Sequence, residues 1–176
     1  MRVPLTLLLL ATTVVDARSP ETMDGYRIKA AFLYNFTRFV HWTTDDPADT
    51  MGSRFPICVL GRDPFGQALD DVVAGKAVLG RLIEIRRISD LRTGGDCKVL
   101  FIASSETRDV ASLLRASKQV GTLTVGEIGT PNGKSSIIAF TLVGGKVRFE
   151  INAAAAEEGK INLSSNLVSL ATVVRR

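Results

Sequence analysis

Ile137-Ile138-Ala139-Phe140-Thr141-Leu142-Val143, then Gly144-Gly145, then Lys146-Val147-Arg148-Phe149-Glu150-Ile151-Asn152 is the stretch that decides the fold. Two apolar runs flank a glycine pair, and glycine readily supplies the positive φ angles of a tight two-residue hairpin. With the turn fixed there, Phe140 faces Phe149, Ile138 faces Ile151 and Leu142 faces Val147. Strand side chains alternate with period two, so one face of this hairpin is predicted to be apolar throughout. Lys146, Arg148 and Glu150 fall on the other face.

Upstream, strands alternate with helices. Tyr26 to Trp42 reads as a helix, with Ile28, Phe32, Phe36 and Phe39 at helical spacing. Its large apolar residues spread over more than one side, which fits self-association or a fully internal helix. Phe55 to Leu60 suits a buried strand, and Asp63-Pro64 offers a cap and first residue for a helix carrying Leu69, Val72 and Val73. Val78 to Ile88 reads as one strand and Cys97 to Ile102 as another, after a Gly94-Gly95 turn. Ser105 to Lys118 is predicted helical, and Thr122 to Val125 extended. After the hairpin, Leu163, Leu167, Leu170 and Val174 predict a terminal amphipathic helix capped by Asn162 or Ser164. The expected class is therefore α/β: a single domain with an open mixed sheet flanked by helices, a late antiparallel hairpin and a C-terminal helix.

The N-terminus reads differently. Met1-Arg2 precedes an apolar run from Val3 to Val15, and Val15-Asp16-Ala17 places small residues where a signal peptidase cuts. Residues 1–17 are expected to be a cleaved signal peptide, leaving 18–176 as one soluble exported domain. Of 176 residues, 45% are hydrophobic and the formal net charge is +4, interspersed rather than clustered. That pattern argues against a nucleic-acid partner. Cys58 and Cys97 are the two cysteines. In an oxidising compartment such a pair forms a disulfide; two buried free thiols are the other reading.

No constellation assembles an enzyme, metal site or cofactor site. The single histidine, His41, stands between Val40 and Trp42 at a helix end, where packing or solvent exposure explains it. Gly61-Arg62-Asp63-Pro64-Phe65-Gly66 lacks the spacing of a dinucleotide or nucleotide loop and reads as a capped turn. Asp45-Asp46, Asp70-Asp71 and Glu157-Glu158 are adjacent pairs, whose side chains diverge. A polar edge remains. Arg148, Glu150 and Asn152 share a strand face, and Asn162, Ser164 and Ser165 precede the last helix. If the connection folds back, these groups converge on a small ligand or a partner's backbone; otherwise they are an exposed strand face and a helix cap.

A family resemblance joins these pieces. Lys29-Ala30-Ala31-Phe32-Leu33-Tyr34-Asn35-Phe36, Phe39-Val40-His41-Trp42, Ile57-Cys58-Val59-Leu60-Gly61 with Asp63-Pro64-Phe65-Gly66, and Cys97-Lys98-Val99-Leu100-Phe101-Ile102 occur in order. Leu123-Thr124-Val125, Val147-Arg148-Phe149-Glu150-Ile151-Asn152 and Ile161-Asn162-Leu163-Ser164-Ser165 follow. Their succession resembles the YfiR-like family of periplasmic proteins. The resemblance implies an α/β domain with a Cys58–Cys97 disulfide, often a homodimer. It implies a regulator that holds a membrane-bound diguanylate cyclase inactive through that enzyme's periplasmic domain, modulated by redox state or a small ligand. Other membrane sensors are partners of some members. By position it directs partner binding to Glu150, with Ile138 and Ala156. One member's second cysteine pair, late in its chain, has no counterpart here, where Asn132 and Ala139 stand. The alternative function is a periplasmic small-molecule receptor that signals through its own assembly.

Overall fold

The structure, a computed structural model, describes residues 23–42, 53–94, 96–116 and 120–175. The signal-peptide segment and Asp45-Asp46 lie outside those residues.

Five strands form the parallel centre: β2 (Phe55–Leu60), β4 (Arg81–Ile88), β5 (Val99–Ile102), β6 (Leu123–Glu127) and β7 (Ile138–Val143). Their spatial order is β7-β6-β5-β2-β4, so the chain moves one way from β2 to β4 and then crosses to the other side. β8 (Lys146–Asn152) extends this sheet antiparallel to β7, and β10 (Val173–Arg175) pairs in parallel with β8. The predicted hairpin register holds at Phe140–Phe149, Ile138–Ile151 and Leu142–Val147. The apolar face ends before the turn, however, because Leu142 is 55% exposed.

One sheet face carries α1 (Met23–Thr37) and α2 (Gln67–Val73). Ala30, Leu33 and Phe36 of α1 lie in the main core with Ile57, Val59, Phe101, Val125 and Phe140. Phe32, at the margin of this stripe, reaches Phe140 and Phe149 at centroid distances of 6.0 and 5.9 Å. Much of the helix's apolar surface is thus met inside the chain, while Ile28 is 48% exposed. The other sheet face carries α4 (Val110–Ala116), whose Val110 and Leu114 pack with Cys58, Leu60, Leu100 and Ile102. Cys58 and Cys97 are bonded there, with Cα atoms 5.9 Å apart.

Several element boundaries differ from the sequence reading. α1 stops at Thr37, where the Thr37 hydroxyl donates to Tyr34 O and Trp42 Nε1 donates to Thr37 O. Val40-His41 then form β1, paired with β9 (Asn162–Leu163). Asp63 does not cap α2. Its carboxylate accepts from Phe65 N and Arg87 Nε, and the helix begins at Gln67. α4 begins at Val110 rather than Ser105. The terminal segment is not one helix. It comprises β9, a six-residue α6 (Ser165–Leu170) capped by Ser164, and the strand β10 containing Val174. Ala153–Glu158, read as a connection, is helix α5, and Leu91–Gly94 is the short α3.

Val78 to Ile88 is also divided, into β3 (Ala77–Val78) and β4, by a turn at Leu79-Gly80. Both turn residues have positive φ, 51° and 75°. Glycine tolerates this, whereas for leucine the left-handed region costs roughly 1–2 kcal/mol. Leu79 is 57% exposed, so little packing offsets that cost. Leu79→Asn is expected to raise stability by about 0.5–1 kcal/mol in urea denaturation. An unchanged or lowered midpoint would show that the leucine side chain compensates.

Candidate functional site

In an open α/β sheet of this winding, ligands usually sit beyond the carboxyl ends of the strands where the order reverses. Here that point lies between β2 and β5, and it is closed. Arg62 N donates to Ser105 Oγ at 2.8 Å, and a Cβ on Gly61 would lie 2.8 Å from the same oxygen. Flanking ion pairs surround this seam. Arg87 spans Asp63 and Asp70, and the hydrogen bonds it donates to Asp70 first, then to Asp63, hold its guanidinium above the ordinary value. The Arg108 guanidinium beside Glu106 holds that carboxyl below its usual range, against the opposing effect of burial. Arg92 brings the partly exposed Asp90 carboxyl down to about 2.

Glu150 lies elsewhere, on β8 between the buried Phe149 and Ile151. Alternation turns it away from the α1 face, as the hairpin pattern requires. The open surface expected around it is covered on one side by β10. Arg175 Nη1 donates to Glu150 Oε2, and the two side chains are 30% and 18% exposed. Among the described residues Arg175 Nη2 is buried without a hydrogen-bond partner. β10 is further tied down by Thr172, whose backbone N–H and hydroxyl both donate to Phe149 O at 2.9 Å. Sequence reasoning missed this pairing because Val174 and Leu170 read as one helical stripe.

Ile138 is fully buried opposite Ile151, and Ala156 is 6% exposed within the main core. Both side chains are buried within the chain. The remaining polar residues serve separate local duties. Asn152 accepts from Ala155 N as the cap of α5 and donates to Lys134 O. Ser164 accepts from Leu167 N to cap α6, and exposed Ser165 opens that helix. Asn162 sits opposite His41 in the small sheet, and Arg148 folds back on Val147 O. Among the described residues no hydrogen bond joins these five, so the reading as strand face and caps is the one the geometry supports.

Asn132 has a role that composition did not signal. Its buried side chain accepts from Val110 N and donates to Glu106 O, fastening the β6–β7 loop to the start of α4.

A comparison with curated proteins finds no match. The sequence pattern of the family described as YfiR/HmsC-like matches residues 26–172, from the second turn of α1 to the residue before β10. The five-stranded parallel centre of the sheet, the hairpin, the Cys58–Cys97 bridge and the ordered motifs all lie within that span, and the chain belongs to the YfiR/HmsC-like family.

Proposed function

We propose that the exported chain is a periplasmic regulator that represses a membrane-bound diguanylate cyclase, or a similar membrane sensor, by binding its periplasmic domain. Family membership over residues 26–172 supports this reading. The disulfide is consistent with an oxidising compartment, and no helix among the described residues is long and apolar enough to cross a membrane. The observation that carries the choice of contact is Glu150 itself. It is a partly exposed carboxylate on a strand anchored by Phe149 and Ile151, so its position is fixed before any partner arrives. The family resemblance also supports a homodimer, for which light scattering at micromolar concentration should give twice the protomer mass. A strict monomer would refute that part.

The Arg175 pair dictates the test. Glu150→Lys alone places like charges together and loosens β10, with an expected stability loss of about 1 kcal/mol. The swap Glu150→Lys with Arg175→Glu restores the pair with its polarity reversed. The expected result is a near-native thermal midpoint for the swap, loss of cyclase pull-down by about 2 kcal/mol or more, and raised cellular cyclic-di-GMP. Wild-type pull-down by the folded swap would remove Glu150 from the interface. If deletion of the whole gene leaves cyclic-di-GMP unchanged, the cyclase partnership itself fails.

A further inference from the structure

A cavity of about 220 Å³ lies between α4, α5 and the sheet at β6 and the start of β7. Ala111, Leu114, Val120, Ile137 and Ala155 give it apolar walls. Its volume falls below the roughly 300–1,000 Å³ of drug-sized sites, so an occupant is smaller than a nucleotide. Inside, the Thr124 hydroxyl is buried and accepts from Ile137 N at 2.9 Å, while nothing among the described residues accepts its own proton.

At the mouth stand Arg115 and Glu158, 3.5 Å apart and with side chains 55% and 62% exposed. Arg115 otherwise donates to Ser112 Oγ at 2.8 Å. A guanidinium carries five donors in a planar fork, and among the described residues these two contacts engage only part of it. An exposed pair at that separation contributes about 0–1 kcal/mol, and another carboxylate can take the place of Glu158 at little cost.

We propose that this cavity binds a small apolar carboxylate, held by Arg115 with its hydrocarbon part against the α4 and α5 walls. α5 starts at Ala153, three residues after Glu150, and Thr122 on the cavity wall donates to Cys97 O at 2.8 Å. An occupant therefore bears on the segment carrying Glu150 and on the backbone of the bridge. That regulatory consequence rests on the function proposed above, whereas binding itself does not.

Titration calorimetry on the mature protein tests the site with hexanoate and phenylacetate, and with norleucine and phenylalanine as amino-acid counterparts. Saturable binding of at least one is expected, weakened about tenfold or more by Arg115→Gln and abolished by Ala111→Phe, which fills the cavity. Hexanol, which lacks the carboxylate, should bind no better to wild type than to Arg115→Gln. Tighter binding of the amino acids would identify an ammonium group meeting Glu158; tighter binding of the simple acids would identify fatty or aromatic acids. The proposal is overturned if none of the four binds up to about 10 mM, or if Arg115→Gln leaves affinity unchanged. It is also overturned if a folded Ala111→Phe still binds. Arg115 is exposed, so its variant should fold even if Ala111→Phe does not. Intact binding with cyclic-di-GMP unaffected by gene deletion would retain the site and reject the cyclase partnership.

Discussion

Lys29→Met is expected to destabilise the protein by about 3–5 kcal/mol, the usual cost of leaving one charge of a buried pair behind. Lys29 on α1 is 2% exposed and pairs with Glu127 at the end of β6, itself 8% exposed. The Tyr26 hydroxyl lies 3.4 Å from the same carboxylate, and the Lys29 ammonium stands 4.5 Å from the Tyr26 ring centroid. Removing the lysine leaves a buried carboxylate charge that the Tyr26 hydroxyl, 3.4 Å away, solvates only weakly. The double variant Lys29→Met with Glu127→Leu removes both charges and should recover most of the loss, since apolar replacements of buried pairs are often neutral or better. Urea denaturation of the two single variants and the double gives the coupling directly. Single variants within about 0.5 kcal/mol of wild type would mean that solvent reaches the pair.

Opening the Cys58–Cys97 bridge should have a comparable effect. The cysteines are 39 residues apart, and closing a loop of that length stabilises by about 4 kcal/mol in the chain-entropy model. For a domain of this size that corresponds to a fall in thermal midpoint of roughly 10 °C. The double variant Cys58→Ala with Cys97→Ala and the reduced wild type should both show it. Cys58 is fully buried, so the alanine variant also loses some packing and should lie slightly lower than the reduced protein. A midpoint within about 2 °C of the oxidised protein would show that the denatured chain is already constrained without the bridge.

The hairpin was legible because two independent signals agree: period-two alternation and a glycine pair that fixes the register. The central strand β2 was legible for a different reason, since six consecutive buried residues bounded by Gly61 suit a strand covered on both faces. Local pattern misled wherever a short element was decided by distant contacts. Val173–Arg175 have the spacing of a helix, yet the open edge of β8 and the carboxylate of Glu150 recruit them as a strand. Val40-His41 continue an apolar helix pattern, but Asn162-Leu163 offer a strand partner. Leu79-Gly80 carries only one glycine for two positive-φ positions, so nothing in the pattern announced a turn. The candidate site was legible only as a strand face. The Arg175 cover, the Lys29–Glu127 pair and the α4–α5 cavity each depend on residues more than 20 positions apart.

The position of the bridge also sets an order of assembly. Cys58 lies in β2 and Cys97 stands two residues before the start of β5, and these two strands are neighbours in the sheet. Parallel sheets fold slowly because their pairings span long stretches of chain, and a chain threaded N-terminus first presents both cysteines before β6, the hairpin or β10. Oxidation can therefore lock β2 beside β5 while everything after residue 102 is still unstructured, giving later strands a template on which to add. In refolding quenched at intervals with an alkylating agent, thiols should disappear before the protease resistance of the hairpin develops; the reverse order would place closure of the bridge last.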